Sequence, residues 1–497
     1  MAIGPTIFYS NRRSPMPDHI YRFRSAEKLI GKFQELERQE IYFAPPNELN
    51  DPYDGTLDIQ WHGDAVLWTN LLKHYLLCLT VDVTRALISP DDPDILRREM
   101  IPGSEENLSN LPLKEAYQQV KREFFANASA ARIAEVLAER AQPIGRSELR
   151  MYLRTIHGQA VQVVLGVLKT RGLAVPGLSA PDSGSFADAA ARCCEIVERI
   201  NREETSGAPG RPVGAVLGGA TESIVYQLGL LRQLDADAAL DRACGWLAVL
   251  CDFPAHYVSG LESLLYSDWF TACFVEEATN AAMWGVYGDS HQGVALKFRT
   301  QVVAGQPALV LNRVTGFAGS KEGDTRIIRS DVPHVLDAVR YEPQFTRVDF
   351  FQMMGRITGA DARFWHYDES GRQSQTSVRA GFNTEPWRQN YWRTLKAALT
   401  TKHHDWQHEK ERRIVLHDGL VDLRSSKESR KLVYRFEDLE GIVFGAKTST
   451  NHIMTIFRVV REKCRKAGRK KFDFWRAEYS AVDGRMALVP LSMLKVE

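Results

Sequence analysis

No run of about 20 uncharged apolar residues, the length a helix needs to span a bilayer, occurs in this sequence of 497 residues. The first residues, MAIGPTIFYSNRRSPMPDH, lack an apolar core and carry two arginines and three prolines, so no signal peptide is expected. The seven cysteines (Cys78, Cys193, Cys194, Cys244, Cys251, Cys273 and Cys464) form no CxxC pair. At so low a density they read as reduced, mostly buried thiols. Charge of one sign is missing as well. Basic and acidic residues number 63 and 62, for a formal net charge of +1, so no global field points to nucleic acid or membrane. No Walker sequence, GxSxG or HExxH is present, and the glycine run GAVLGGA (214–220) lacks the Lys-Ser/Thr of a phosphate loop. These absences lead to the expectation of a cytoplasmic globular protein without a membrane partner.

What is present changes texture along the chain. Near the start, IYRF (20–23) and EIYFAPP (40–46) read as strands around a helix at 25–39 that Ser25 caps. LLKHYLLCLTVD (71–82) fits helix or strand, with more strand character at its end. From about 86 to 255 strand signals are scarce. Helices are expected at 114–126, 128–141, 146–171, 185–203 and 220–250, with a flexible break at 206–219. Strands return after 260: WFTACFVE (269–276), GVALKFRT (293–300), ALVLNRVTGF (308–317), EKERRIVLHD (409–418), KLVYRF (431–436), GIVFGAKTS (441–449) and a closing KKFDFWRAEYS (470–480). Helices are expected at 348–357, 391–406 and 450–468. The fold class is therefore α+β, a mixed and mainly antiparallel sheet core split by a large helical insertion. Its parts are 1–85, 86–255 and 256–497. The amphipathic helices of the insertion are candidates for docking a protein partner or for self-association.

Four places carry chemistry. Tyr21-Arg22-Phe23-Arg24 alternates, so both arginines share one face of a strand. They are either solvent residues or a phosphate or carboxylate clamp. Asn50, Asp51 and Asp54 form a polar turn after a strand, which Asx bonding explains, with a binding role open beside it. Trp284 and Tyr287 are spaced i,i+3 before a loop that holds His291. They suit core packing, or an aromatic platform with His291 at its edge. Glu409 and Glu411, two apart at a strand start, project to one face with Arg413 after them. They suit solvent pairing, or acid/base work and the steadying of a cationic transition state. His403, His404 and His408 could ligate a metal, or simply make a polar approach to the strand. The basic stretch 458–471 suits a helix C-terminus, with phosphate contact as the other reading.

The chain resembles the bacterial domain-of-unknown-function family 2971. The resemblance rests on Tyr21-Arg22-Phe23, Asn50-Asp51-Pro52-Tyr53-Asp54, Cys273-Phe274, Met283-Trp284 with Tyr287, and His291-Gln292-Gly293. It continues with Trp406, Glu409, Glu411 and Arg413, and with Gly441-Ile442-Val443-Phe444-Gly445. It covers about 20–85 and 265–480, with Val275 where the family often has Ser. A second similarity is to ADP-ribosyltransferases, in the order of a first-strand arginine, a central aromatic and a late Glu-x-Glu. That similarity implies NAD as substrate and an ADP-ribosyltransferase-like core. Arg22, with Arg24 near it, would grip the diphosphate or ribose. Trp284 or Tyr287 would stack on nicotinamide, Glu411 would stabilise the oxocarbenium-like state, and Glu409 would assist or activate the acceptor. His291, Asn50 and Asp51 complete the expected site. Two alternatives stand beside it: a binding or regulatory module of a bacterial defence or toxin-like system, and a nuclease using Asp51, Asp54, Glu409 and Glu411 around Mg²⁺. A nucleic acid is a possible acceptor.

Overall fold

The computed structural model describes residues 17–89, 96, 101–108, 110–173, 186, 188–206, 212–234, 248–319, 325–417, 421–482 and 484–497. Residues 1–16, Cys244 and the 235–247 part of the expected helix lie outside them. The chain divides into two compact units. One comprises 1–56, 268–345 and 397–497; the other comprises 57–267 and 346–396.

The first unit is built on an eight-stranded sheet. Its strands are β1 (His19–Arg24), β2 (Trp269–Val275), β3 (Val294–Arg299), β4 (Asp337–Ala338), β5 (Glu411–His417), β6 (Leu439–Phe444), β7 (Asp473–Ser480) and β8 (Arg485–Pro490). Their order is β4-β5-β2-β1-β3-β6-β7-β8, and only the β6–β7 pair is parallel. Between those two strands runs a helix at Thr450–Ala467, since parallel neighbours need a crossover. Ser449 caps it by accepting the His452 N–H, and Gly468 ends it in the left-handed conformation. Its buried residues Ile456, Phe457, Val460 and Cys464 lie on one stripe, which leaves the basic residues of 458–471 on the other side.

A second sheet (Glu40–Tyr42, Lys431–Tyr434, Gln306–Gly319 and Gln301–Val303, with Thr325–Val335 on the long strand) shares a core with the first. Ile20, Phe274, Leu296 and Phe298 of the large sheet meet Ile41, Leu309, Leu311 and Tyr434 there. The opposite face of the large sheet holds a smaller cluster of Trp284, Ala295, Val443, Ala477 and Met486, with Tyr21 and Phe23 against it. Alternation therefore gives β1 two working faces, one toward each cluster.

The second unit is mainly helical. Its helices include Ala65–Ile88, Leu111–Phe125, Ala128–Ala138, Arg146–Thr170, Ala189–Ser206 and Val213–Leu234. It also carries a three-stranded sheet of Arg347–Asp349, Asp58–Trp61 and Ile144–Gly145. Several expected elements change. The 71–82 segment is helix throughout, inside a 24-residue helix that Asp64 caps and whose residues are buried on nearly every side. With every face buried, neither period stands out, and the apolar run alone could not choose helix over strand. The expected break at 206–219 is helical from Val213. The expected helix at 348–357 is a short strand followed by turns. The helix expected to run to 406 stops at Leu399, and Thr401–His403 is a strand. KKFDFWRAEYS does not close the sheet, because β8 follows it.

Candidate active site

The cleft face of the large sheet belongs to β1, β2 and β5. Tyr21 stands opposite Val275, Val275 opposite Glu411, and Cys273 opposite Arg413. Side chains at these positions rise from one surface of the sheet. A short helix, Ala281–Val286, capped by Asn280, delivers Met283 and Tyr287 beside them. The turn at 50–54 closes another side. Together Tyr21, Phe23, Leu49, Asn50, Asp54, Cys273, Phe274, Val275, Met283, Tyr287, Lys402, Glu409 and Glu411 line a cleft with about 490 Å³ of empty space, its mouth included. Most of that is open solvent: the cavity itself measures about 80 Å³, below the usual range of small-ligand sites.

Its floor is a buried charge network. Arg413 forks onto Asp54, with Nη1 and Nη2 each 2.6 Å from a carboxylate oxygen. The same guanidinium donates to Glu411, from Nε at 2.6 Å and Nη2 at 3.0 Å. Lys402 Nζ donates to Glu409 at 2.7 Å and lies 3.5 Å from Glu411 and 3.8 Å from Asp54. The Tyr287 hydroxyl donates to the other Glu409 oxygen at 2.7 Å. The Trp406 ring covers Lys402 from 4.5 Å, and the Tyr341 hydroxyl accepts the Glu411 N–H at 2.8 Å. All five charged side chains are buried. Three carboxylates face two cations, so full ionisation leaves one net negative charge.

The two glutamates respond in opposite directions. Burial raises Glu409, and the charge of Glu411 adds to it; Lys402 opposes this without cancelling it, so the Glu409 carboxyl sits above the usual range. Burial also works against ionised Glu411, but Arg413 and Lys402 outweigh it and hold that carboxyl below the usual range. Asp54 is raised, chiefly by burial. Lys402 loses from burial yet is raised by Glu411 and Glu409. Paired groups driven apart in this way divide the labour of acid and base. Of the pair, Glu411 is the stronger acid and Glu409 the weaker.

Of the expected site residues, Glu409, Glu411, Tyr287 and Asn50 meet in the cleft. The others do not line it. Arg22 and Arg24 do share a face, but it is the opposite one, and the aromatic pair Tyr21 and Phe23 faces the cleft. Arg22 is buried over the Phe274 ring and donates to the Tyr42 carbonyl at 2.9 Å. Burial lowers its pKa to about 9. Arg24 is ion-paired with Glu35 through two hydrogen bonds. Trp284 is fully buried, edge-on to Phe23, with its indole N–H on the Ala278 carbonyl, so it packs and does not stack on a ligand. Asp51 turns back to accept the Tyr53 N–H at 3.0 Å, an Asx turn.

His291 acts through its backbone. It has a left-handed φ of 70°. Its N–H donates to the Trp284 carbonyl and its carbonyl accepts the Lys447 N–H. The next glycines close the latch: Gly445 donates to the Gly293 carbonyl at 3.0 Å, and Thr448 Oγ1 does so at 2.7 Å. Of the three grouped histidines, His403 and His404 pair with Asp405 on the surface, and His408 Nδ1 faces the Asp405 carbonyl. For the nuclease alternative, Asp54, Glu409 and Glu411 already hold Lys402 and Arg413 where a divalent ion would sit.

The principal residue not expected from sequence is Lys402. It hid in a segment read as helix, and the adjacent threonines at 400–401, which favour strand, were the available signal. The geometry of Glu409 also differs from the expectation. It ends a 3₁₀ turn, Lys410 takes a left-handed φ of 47°, and the strand starts only at Glu411. The two carboxylates converge through that kink, while Glu411 and Arg413 share a face through the strand period.

Residues 283–414 match the model of a family described as "Protein of unknown function (DUF2971)". No curated protein and no solved structure matches the chain. The matched stretch holds Tyr287, Lys402, Glu409, Glu411 and Arg413, and of the charged network only Asp54 lies outside it.

Proposed function

We propose that this chain, which matches that family's model over residues 283–414, cleaves the N-glycosidic bond of NAD and passes the ADP-ribosyl group to water or to an acceptor. One observation carries the reading. Two carboxylates with opposite pKa shifts converge in one cleft with the rings of Tyr21, Phe23 and Tyr287. A planar, cationic nicotinamide ring suits aromatic walls over a floor of net negative charge. Of the residue order that resembles ADP-ribosyltransferases, Tyr287 and the Glu409–Glu411 pair reach the cleft and the first-strand arginine does not.

In this reading the C1′–N bond breaks with its electron pair leaving on nicotinamide, and positive charge develops at C1′ and the ring oxygen of ribose. Ionised Glu411, fixed by Arg413, faces that charge. The acceptor oxygen or nitrogen attacks C1′, and Glu409 takes its proton. Tyr287 and Lys402 hold the Glu409 carboxylate, and Asn50 lies within reach of the ribose hydroxyls. Arg22 and Arg24 have no part in it.

A second reading, a non-catalytic binding module, draws on a different observation. All four oxygens of Glu409 and Glu411 already accept hydrogen bonds from Lys402, Tyr287 and Arg413. Nicotinamide release from NAD separates the two. For the enzyme, release by the wild type falls by roughly 10²–10³-fold in Glu411→Gln and by about 10²-fold or more in Glu409→Gln. A wild type that neither binds NAD nor releases nicotinamide with water, protein or nucleic-acid acceptors overturns it.

A further inference from the structure

The helix Val213–Leu234, 22 residues long, leaves much of its apolar surface uncovered. Gly214 and Gly218 are its buried positions, and they seat it against the helix Arg146–Thr170, where a Cβ on Gly218 would press on the Ser147–Glu148 backbone. Glu222 faces the same neighbour, paired with Arg150 and Arg154, and Arg232 pairs with Asp252. These are the only charged residues of the helix. The other side exposes Leu217, Ile224, Leu228, Leu231 and Leu234, from 45% to 81%. Val216, Tyr226 and Leu230 are also exposed. Leu217, Ile224 and Leu231 are spaced by seven, and Ala220, Gln227 and Leu234 follow each by three. This is the a/d pattern of a helix–helix seam.

We propose that this face is the interface of a homodimer, in which the helix packs antiparallel on the same helix of a second copy. Three observations select that occupant. The first is register. About a two-fold axis between Val225 and Tyr226, Leu217 falls opposite Leu234 of the partner subunit, and Ile224 opposite Gln227 of the partner subunit. Ala220 falls opposite Leu231 of the partner subunit, so small meets large and the stripe complements itself, as an isologous interface requires. The second is charge. Both charged residues are held on the far side of the helix, so two copies meet without like-charge contact. The third is area. A helix of this length spans about 33 Å. The five large side chains of that face, exposing on the order of 100 Å² each, form a patch of roughly 500 Å², at the upper end of what a monomer exposes and near the low end of interface sizes.

Sedimentation or light scattering on the full chain, from sub-micromolar to tens of micromolar, tests this together with two exposed-site variants. The wild type is expected to be a dimer. Leu231→Glu is expected to be a monomer with unchanged far-UV circular dichroism, and Ala220→Lys to dimerise more weakly than the wild type. The double variant Ala220→Lys/Leu231→Glu is expected to recover the dimer, because the new charges meet across the two-fold axis. A monomeric wild type overturns the proposal, and so does a dimer indifferent to Leu231→Glu. Failure of the double variant to recover the dimer overturns the antiparallel pairing, since a parallel pair would set glutamate against glutamate.

Discussion

Glu409 and Glu411 are two positions apart, share Lys402, and are pushed in opposite directions by their surroundings. The opposition has consequences for stability. Glu411 is lowered, so its contribution is complete above the unfolded carboxylate value and is lost as pH falls through its lowered folded value. Glu409 is raised, so its ionised form costs stability above its folded value, and that cost is relieved as pH falls through it. Neutral isosteres at pH 7 should then diverge. Glu411→Gln lowers the urea midpoint, whereas Glu409→Gln leaves it unchanged or raises it. If Glu409 is the base, the acid limb of kcat/KM lies above the ordinary glutamate value of about 4.3 and is absent in Glu409→Gln. A limb that persists in that variant assigns the proton to another group. Arg413 is the network's centre, and Arg413→Met removes the hydrogen bonds to Asp54 and Glu411 and leaves Lys402 as the one cation beside three buried carboxylates. Urea unfolding should show a loss of about 3–5 kcal/mol.

Strands and turns determine which of these side chains can meet. The alternation in Tyr21-Arg22-Phe23-Arg24 and the i,i+2 spacing of Glu411 and Arg413 were legible because a strand has a fixed period of two. Which face of β1 looks into the cleft was not legible. Both faces are buried, and a charged residue in the sequence suggests solvent, whereas Arg22 is covered by Phe274 and Tyr42. Lys402 escaped notice because its strand is three residues long and follows directly on a helix. Asp54 and Arg413, 359 positions apart, join through a contact that no local pattern encodes. The His-Gln-Gly and Gly-x-x-Phe-Gly blocks stood out in the sequence for a structural reason: they are two halves of one backbone latch. A Cβ on Gly445 would run into the His291 carbonyl. Gly445→Ala should therefore cost roughly 1–3 kcal/mol in thermal or urea unfolding, while His291→Ala, which keeps the backbone bonds, changes nicotinamide release little. A large loss of release in His291→Ala at full stability would return that side chain to the chemistry.

At the scale of the molecule, each compact unit is pinned by its own buried ionic knot. In the helical unit Arg140 joins Glu148 and Glu204, each at 2.7 Å, and Tyr152 donates to Glu148 at 2.6 Å. Arg140→Ala strands two buried carboxylates and should destabilise the protein by about 3–5 kcal/mol, with nicotinamide release retained wherever the chain stays folded. The mixed, mainly antiparallel architecture was legible in composition and periodicity. The helical stretch began earlier than expected, at Ala65, because a helix buried on nearly every side shows no amphipathic stripe. No helix among the described residues is long and apolar enough to cross a membrane. Catalysis in the cleft is tested by nicotinamide released from NAD by the full chain, followed in the wild type, Glu409→Gln and Glu411→Gln at matched folded fraction. The wild type is expected to release nicotinamide, and each variant to lose at least about 10²-fold of that rate. Equal rates in all three, or no NAD binding and no release by the wild type with any acceptor, would contradict it.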